Sequence, residues 1–337
     1  MTENKQIEIP RATGLLVIVV ENSNPNGDPD QESDPRRRSH DNRGMISGVS
    51  FKRKVRDLIL RKDGLVWQKL AENYHITKND TAWSKDGYSF DILEDRELKG
   101  SEVNGLLDDA KKKDGYKEFK NRFWDGRVFG NTFLPEKTKG HHVRSGVAHF
   151  GLATSISPVR VHRLTKTKMA PPGGRKDDNE NGQSRGMAPL AHRVVEHGVY
   201  VMPFFINPTG AQGELGTGCA PLDIALLLNL IRYAYPHTKS DIRPLVEVRH
   251  AWYAEHNDDL GSFSELDFIE KIAPTRKGGD FGKPSVSGVP LSQQYDIPSK
   301  SSLTDEDKKK FKDGKLYDLC VELPEWCNKL KGEGKNA

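Results

Sequence analysis

Cysteine and long apolar runs are both scarce in this sequence of 337 residues. Its three cysteines (Cys219, Cys320 and Cys327) form neither a Cys-x-x-Cys pair nor the even set of a disulfide framework, a usage typical of reduced thiols. No apolar run approaches the roughly 20 residues that a membrane-spanning helix needs. The first ten residues are polar and do not have the pattern of a secretory signal. These absences predict a cytoplasmic protein that makes no contact with a membrane.

Acidic residues are missing from one long stretch, 137–168, which carries seven Lys or Arg and four His. A second basic stretch, 36–62, has ten Lys or Arg against two Asp, whereas 86–118 has ten acidic residues against six basic ones. The formal net charge is only +4, so the charges are segregated rather than strongly unbalanced. Segregated positive charge favours a polyanionic partner such as nucleic acid, and a merely solvated charged surface is the alternative.

The apolar pattern predicts an α+β fold. Gly14–Val20 is a continuous β-branched run, typical of a strand buried on both faces. Ser47 or Ser50 is predicted to cap a helix that ends near Lys62, with an apolar stripe beside a row of cations. Further strands are predicted at 143–157, 159–164, 198–207 and 245–253, and a further helix at 222–235. This order favours one sheet with helices packed on one face.

We expect a single domain over 1–337 with three additions. Residues 65–122 are predicted to form an acidic, mostly helical insertion. Residues 165–190 have almost no apolar content and are predicted to project as a long hairpin or loop. Residues 274–337 are predicted to form a C-terminal extension that is partly loop.

Three sequence blocks carry a family resemblance. The block Asn24-Pro25-Asn26-Gly27-Asp28-Pro29-Asp30 follows the apolar strand, and Val49–Arg56 forms a basic first helix. Downstream lies the block Asp125-Gly126-Arg127-Val128-Phe129-Gly130. In this order the blocks resemble the backbone subunit of type I CRISPR Cascade complexes, an I-B/I-C-like branch of the RAMP superfamily.

The resemblance implies a modified RNA-recognition (ferredoxin-like) antiparallel sheet with helices on one face, a helical insertion and a protruding β-hairpin, the thumb. It implies copies that stack head to tail along one guide RNA (crRNA) and present the spacer for pairing with the target DNA strand. The implied partners are other copies of the chain, the subunit that caps the 5′ handle, and the large and small Cascade subunits. No cofactor and no catalytic activity are expected.

A protein that holds any spacer sequence must bind phosphate and sugar and leave the base edges free. The residues that we predict to contact RNA lie in the loop after the first strand, in the two basic stretches and on the far side of the projecting loop: Asn24, Asn26, Gly27, Arg37, Arg38, Lys52, Arg53, Arg56, Arg144, Arg163, Lys166, Lys168 and Arg185. Met169 and Met187 are predicted to act as a thumb wedge against a displaced nucleotide or a neighbouring subunit.

Two other interpretations of the residues stay open. Asp28 and Asp30, with Asp34, could hold Mg²⁺ in a metal-dependent RNA endonuclease, although Asp in such a loop commonly bonds its own backbone. His141, His142 and His149 could serve as a metal set or a general base, but no acidic residue or Cys lies among them. A third hypothesis is an RNA- or ribosome-associated monomer.

Overall fold

The computed structural model describes residues 8–78, 83–107, 115–132, 143–168 and 188–331. Its strands are β1 (Ala12–Ser23), β2 (Gly27–Asp28), β3 (Asp34–Pro35), β4 (Arg43–Ile46), β5 (Thr77–Lys78), β6 (Trp83–Lys85), β7 (Tyr88–Ser89), β8 (Gly130–Asn131), β9 (Arg144–Ser145), β10 (Ala148–Phe150), β11 (Ala153–Pro158), β12 (Val161–Lys168), β13 (Ala188–Ile206), β14 (Leu245–His256), β15 (Thr275–Arg276), β16 (Tyr295–Asp296) and β17 (Phe311–Asp318). Its helices are α1 (Gly48–Leu60), α2 (Leu65–Asn73), α3 (Gly100–Leu107), α4 (Gly115–Arg122), α5 (Trp124–Phe129), α6 (Pro221–Leu230), α7 (Glu265–Ile272), α8 (Leu291–Gln294), α9 (Asp305–Lys309) and α10 (Glu325–Lys329).

One large antiparallel sheet organises the fold, with strand order β17-β14-β1-β13-β11-β4. Along the chain its inner part reads β1-α1-β11-β13-α6-β14, and in space the four strands are ordered fourth, first, third, second. This is the β-α-β-β-α-β arrangement of a ferredoxin-like unit. The predicted α+β class and antiparallel sheet are therefore confirmed.

Strand β1 is buried on both faces, as the β-branched run predicts. Leu16, Ile18 and Val20 belong to the core beneath α1 and α6, whereas Leu15 and Val17 belong to a second core on the opposite face. Successive side chains of a strand point to opposite faces, so alternate residues feed the two cores.

The second core is covered by the segment 263–316. Phe268 and Ile272 of α7 pack there together with Tyr295, Leu303 and Phe311. The main helices α1 and α6 thus share one face of the sheet, while α7 and the following loops close the other. The prediction of helices on one face describes the inner unit and does not include this second layer.

Helix α1 begins where the sequence predicts. The Ser47 side chain accepts a hydrogen bond from the backbone nitrogen of Ser50 at 3.2 Å, which satisfies one of the free donors of the first turn. Phe51, Val55, Leu58 and Ile59 face the core. Val49, which helical spacing places near this stripe, is 68% exposed because it lies in the first turn, ahead of the contact with the sheet.

The insertion, 65–122, and the extension, 274–337, both contain secondary structure that was not predicted. Between 65 and 122 the described residues form α2, α3, α4 and a small sheet of β5, β6 and β7. Beyond 274 they include β17, which joins the edge of the main sheet, and three short helices. No helix among the described residues is long and apolar enough to cross a membrane.

Strands β12 and β13 form the arms of a hairpin that runs beyond the end of β1. The last pair between β1 and β13 joins Ser23 to Val195, whereas β12 pairs with β13 from Val161↔Val195 to Lys168↔Ala188. The predicted thumb, 165–190, therefore begins and ends on paired strands. Its central part, including Met169, Arg185 and Met187, lies outside the described residues.

Candidate nucleic-acid interface

The two asparagines of the loop after β1 bind the protein's own backbone. Asn24 is buried and donates to the carbonyl oxygen of Ser33 at 2.8 Å. The Oδ1 atom of Asn26 accepts a hydrogen bond from the backbone nitrogen of Ser47 at 2.8 Å, next to the start of α1. These contacts fix the loop against α1 and explain why amide side chains occupy both positions.

The same loop is held by Arg193 at the base of the hairpin. Its guanidinium bonds the Glu32 carboxylate and lies 3.0 Å from Asp34, and it also donates to the backbone oxygen of Glu32. Glu32 and Ser33 have positive φ angles of 49° and 64°, a conformation that costs energy outside glycine. The arginine hydrogen bond also lowers the pKa of Glu32. Arg193 therefore ties a strained loop to β13.

The loop aspartates also have partners within the protein. The Asp28 carboxylate accepts from the backbone nitrogen of Asp30 at 3.3 Å and lies 3.7 Å from Arg36. Asp34 pairs with Arg193 at 3.0 Å. Within the described ranges, no group of three or more His, Cys, Asp or Glu side chains is placed to hold a metal ion. The geometry supports a loop-shaping role of these aspartates over a metal site.

The two predicted cations of the turn before β4, Arg37 and Arg38, differ in whether a carboxylate of the protein pairs with them. Arg38 forms a two-point pair with Asp41, whose carboxylate also accepts from the backbone nitrogen of Arg43 at 3.1 Å. Arg37 is exposed, and no carboxylate of the described residues lies within ion-pair distance of it. Arg37 is thus the cation of this turn that is available to an outside anion.

The three cations predicted on α1 do not form one solvent-facing row. Arg53 pairs with Asp57 at 2.8 Å on the surface. Arg56 is only 4% exposed and binds Asp125 at 2.8 Å and Glu94 at 2.9 Å, so its guanidinium belongs to the interior. Arg56 therefore does not lie in the predicted solvent-facing row, and its contact with RNA stays a prediction.

Lys52, the third cation, lies over the Phe129 ring, with its Nζ atom 4.9 Å from the ring centroid. Burial, followed by the neighbouring Arg56, lowers its pKa. His149 on β10 is half-buried, and its pKa is lowered by burial and then by Lys52. Both side chains are therefore partly buried, Lys52 on α1 and His149 on β10.

The remaining predicted contacts lie along β9 and β12. Arg163 is exposed on β12, and Arg144 lies partly exposed on β9. The backbones of Lys166 and Lys168 belong to β12, and their side chains lie outside the described part of the chain. His141 and His142 also lie outside the described residues.

Two buried ion pairs were not predicted from the sequence. Arg127 of α5 binds both oxygens of Asp223 at 2.9 Å, and Asp125 binds Arg56. The block around Asp125 and Arg127 is visible as a motif, but nothing in it indicates that its charges point inward. Arg193 likewise has no local sequence signal, since its partners lie about 160 residues earlier.

Cations lie at several places around the sheet. Arg37 lies beside the edge strand β4, and Arg163 lies on the hairpin arm next to β13. Lys52 and His149 lie where α1 meets β10. Cations spread over loops and strand ends in this way can bind phosphates without reading bases.

The sequence matches the model of the family described as CRISPR-associated protein Cas7 over residues 10–293. No curated protein matches the chain. Among solved structures, the chain is similar to one described as "CRISPR RNA-guided surveillance complex, pre-nicking", with 14% identity, 74% of this chain and 79% of that chain covered, and a TM-score of 0.40. A second, "CRISPR RNA-guided surveillance complex", gives 13% identity, coverage of 74% and 70%, and a TM-score of 0.38.

A third similar structure is a Type III-B Cmr-beta bound to cognate target RNA. It shares 12% identity, the similarity covers 73% of this chain and 61% of that chain, and the TM-score is 0.33. The structural similarities are weak, whereas the family match spans well over half of the sequence.

Proposed function

This chain belongs to the CRISPR-associated protein Cas7 family, and from that membership we propose that it is the guide-RNA-binding backbone subunit of a type I Cascade complex, of an I-B/I-C-like type. Copies line up head to tail along one guide RNA and present its spacer for pairing with target DNA. The family match over residues 10–293 is the observation that carries this proposal.

The exposed cations suit a subunit that must accept every spacer sequence. Arg37 and Arg163 are solvent-facing guanidiniums, and guanidinium groups bind phosphate oxygens in a planar, two-point manner. Contacts to phosphate position the RNA and carry no sequence information, so the base edges stay free for target pairing. Arg56 is left out of this proposed contact set because it is bound to Asp125 and Glu94.

The other proposed partners are neighbouring copies of the chain and the other subunits of the assembled complex. A contact that joins two different surfaces of identical copies and does not close into a ring produces a helical array, whose length the RNA then limits. The 5′-handle subunit and the large and small Cascade subunits would bind this array. Within it, the β12–β13 hairpin is the projecting element that we assign to the contact with a neighbouring copy.

The nuclease alternative has less support. Asp28 and Asp34 each have an arginine neighbour, which lowers the negative potential that a hard cation requires. The absence of catalytic activity stays a prediction, and RNA kept intact with Mg²⁺ is its direct test.

RNA affinity measured by fluorescence anisotropy tests the phosphate contacts. We expect the double substitution Arg37→Ala and Arg163→Ala to weaken binding on the order of tenfold for several guide-like RNAs of unrelated sequence. On single-stranded RNA, the slope of affinity against salt should flatten by about 0.7 for each phosphate that the variant no longer binds.

Arg249→Ala is the matched control, because Arg249 is an exposed arginine on β14, on the far side of β1. It should leave the affinity and the salt slope unchanged. A loss of affinity confined to one RNA sequence would contradict the proposal, since it would mean that these arginines read bases.

A further inference from the structure

The loop 277–290 lies on the second face of the sheet, next to the base of the hairpin. The Ser285 hydroxyl is 2.7 Å from Nδ1 of His197, and the Ser287 hydroxyl donates to the Glu21 carboxylate. Glu21 and His197 are paired in the register, close to the point where β13 changes partner from β12 to β1. The loop is therefore attached to the sheet where the hairpin leaves it.

The side chain of Gln294 fixes the backbone of this loop. Gln294 is buried, and its Oε1 atom accepts a hydrogen bond from the backbone nitrogen of Val286 at 2.7 Å. Its Nε2 atom donates to the backbone oxygens of Val286 and Val289, at 2.9 and 3.0 Å. Because one nitrogen binds both oxygens, the backbones of the two valines lie close together. The protein itself therefore sets the conformation of the loop.

This fixed loop exposes three apolar side chains to solvent. Phe281 is 45% exposed, Val286 is 48% exposed and Val289 is 37% exposed. A single exposed apolar residue is ordinary on a protein surface. Three of them in one short, hydrogen-bonded loop are typical of an interaction site. These three side chains are the apolar loop surface.

The charges beside the apolar loop surface favour a protein partner over RNA. The Lys277 ammonium lies 3.3 Å from the Asp296 carboxylate, and the Lys283 ammonium lies 2.9 Å from that of Asp280. Each of these lysines has its own counter-charge, so a phosphate would have to compete with a carboxylate for it. An apolar side chain can bind the exposed valines without breaking either ion pair.

A segment of the chain with apolar residues at both its ends suits this surface. The segment 169–187 begins with Met169-Ala170-Pro171-Pro172 and ends with Met187. It joins the arms of the hairpin at the paired residues Lys168 and Ala188. Methionine is unbranched and adaptable, and its sulfur makes favourable contacts with aromatic rings.

The hairpin is long enough to contact a neighbouring copy. From Val161 to Lys168 its described arms extend about 24 Å, at the rise of roughly 3.4 Å per residue of an antiparallel strand. This exceeds the radius of gyration of about 20 Å expected for a compact chain of this length. The segment 169–187 follows at the far end, where a copy stacked on the first one would meet it.

We propose that the apolar loop surface of one copy binds the segment 169–187 of the neighbouring copy. The inference rests on the proposed function, in which the hairpin contacts a neighbour, and adds to it the surface that receives the hairpin. Each copy then carries a donor segment at one place and an acceptor surface at another. Contacts between such unlike surfaces repeat from copy to copy without closing.

The double substitution Val286→Asp with Val289→Asp tests the acceptor surface. Both side chains are exposed, and the hydrogen bonds to Gln294 come from the valine backbones. We expect the contact between copies to weaken at least about tenfold, because a carboxylate without a partner is costly in an apolar contact. Mass photometry should then show one copy on an RNA with room for several.

Two comparisons control this experiment. Affinity for an RNA with room for one copy should be the same in wild type and in the double variant. Val321→Asp, at an exposed valine just beyond the edge strand β17, should assemble as wild type does. Thermal unfolding checks the fold of each variant. If the double variant melts early, Phe281→Ser takes its place with the same expected loss of assembly.

A mixture of two variants identifies the occupant. A copy with Asn-Gly in place of 169–187 keeps the acceptor surface, whereas the Val286→Asp, Val289→Asp copy keeps the donor segment. Neither should assemble alone on an RNA with room for three copies. Their mixture should give two copies per RNA and stop there, because it can form one donor–acceptor contact.

The outcomes distinguish this inference from the proposed function. A double variant that assembles as wild type does, or a mixture that stays at one copy per RNA, overturns the inference and leaves the proposed function standing. A double variant with weaker binding to the one-copy RNA would show that the surface contacts RNA, which also overturns it. Wild type that binds as a single copy at every RNA length overturns both.

Discussion

At the scale of single residues, the most buried charges hold the helices together. Arg127 is fully buried, binds both oxygens of Asp223, and donates to the backbone oxygens of Lys120 and Ser89. Asp223 in turn accepts from the backbone nitrogen of Ala220 at the start of α6. One guanidinium thus joins α5, α6 and the insertion.

Loss of one partner of this pair should be costly. We expect Arg127→Met to reduce the free energy of unfolding by about 3–5 kcal/mol, because Asp223 would remain buried without a counter-charge. Urea unfolding at pH 7 measures the change.

The double substitution Arg127→Met with Asp223→Leu should be less destabilising than Arg127→Met alone, since no charge is left unpaired. Arg249→Ala, at an exposed position, should stay within about 0.5 kcal/mol of wild type. A single variant as stable as that surface control would contradict the role given to the pair.

The sequence does not predict which side chains meet when they lie far apart along the chain. Helical spacing places Arg56 beside an apolar stripe, but only the packing of α5 shows that Asp125, 69 residues later, lies opposite it. The turn-forming character of Asn24–Asp30 is local and predictable. Its attachment to Arg193 of β13 is not, because the strand that brings Arg193 there is positioned by the whole sheet.

At the scale of elements, the hairpin of β12 and β13 projects past the end of β1 and is fixed at its base. Arg193 joins it to Glu32 and Asp34 of the loop after β1. Lys168 and Ala188 are paired in the register, so the two described arms of the hairpin end opposite each other. The hairpin can therefore be shortened there without moving its base.

Replacement of residues 169–187 by Asn-Gly tests this element. Asn-Gly suits a two-residue turn between antiparallel strands. We expect a folded monomer with an unchanged melting temperature that assembles poorly on guide-like RNA, as measured by gel filtration and mass photometry.

A Gly-Ser replacement of the same segment, equal to it in length, separates length from sequence. Poor assembly of both variants would assign the contact to the natural side chains. Normal assembly of the Asn-Gly variant would show that the hairpin is not the element that joins neighbouring copies.

A strand or helix is predictable from the sequence where one local sequence pattern is strong. The apolar run predicts β1, and a serine cap before an amphipathic stretch predicts α1. The segment that packs on the second face of the sheet is not predictable from the sequence, because Tyr295, Leu303 and Phe311 are isolated apolar residues within polar sequence. Such residues show no period, and their shared burial depends on the surface that the sheet offers.

At the scale of the whole molecule, both faces of the central strands are covered. RNA-recognition motifs commonly stack bases on aromatic residues of an open sheet face. Here α1 and α6 cover one face and the segment 263–316 covers the other. We therefore propose that RNA contacts the loops and the hairpin, where Arg37 and Arg163 lie. This agrees with a subunit that binds phosphates and leaves bases unread.

The central claim is that the chain lines a guide RNA in repeated copies, and mass photometry tests it most directly. The purified protein would be mixed with guide-like RNAs of increasing length, with and without Mg²⁺, and the RNA would be checked on a denaturing gel. We predict that particle mass grows in equal steps with RNA length while the RNA stays intact. A fixed one-to-one complex at every length, or RNA cut in the presence of Mg²⁺, would contradict the account.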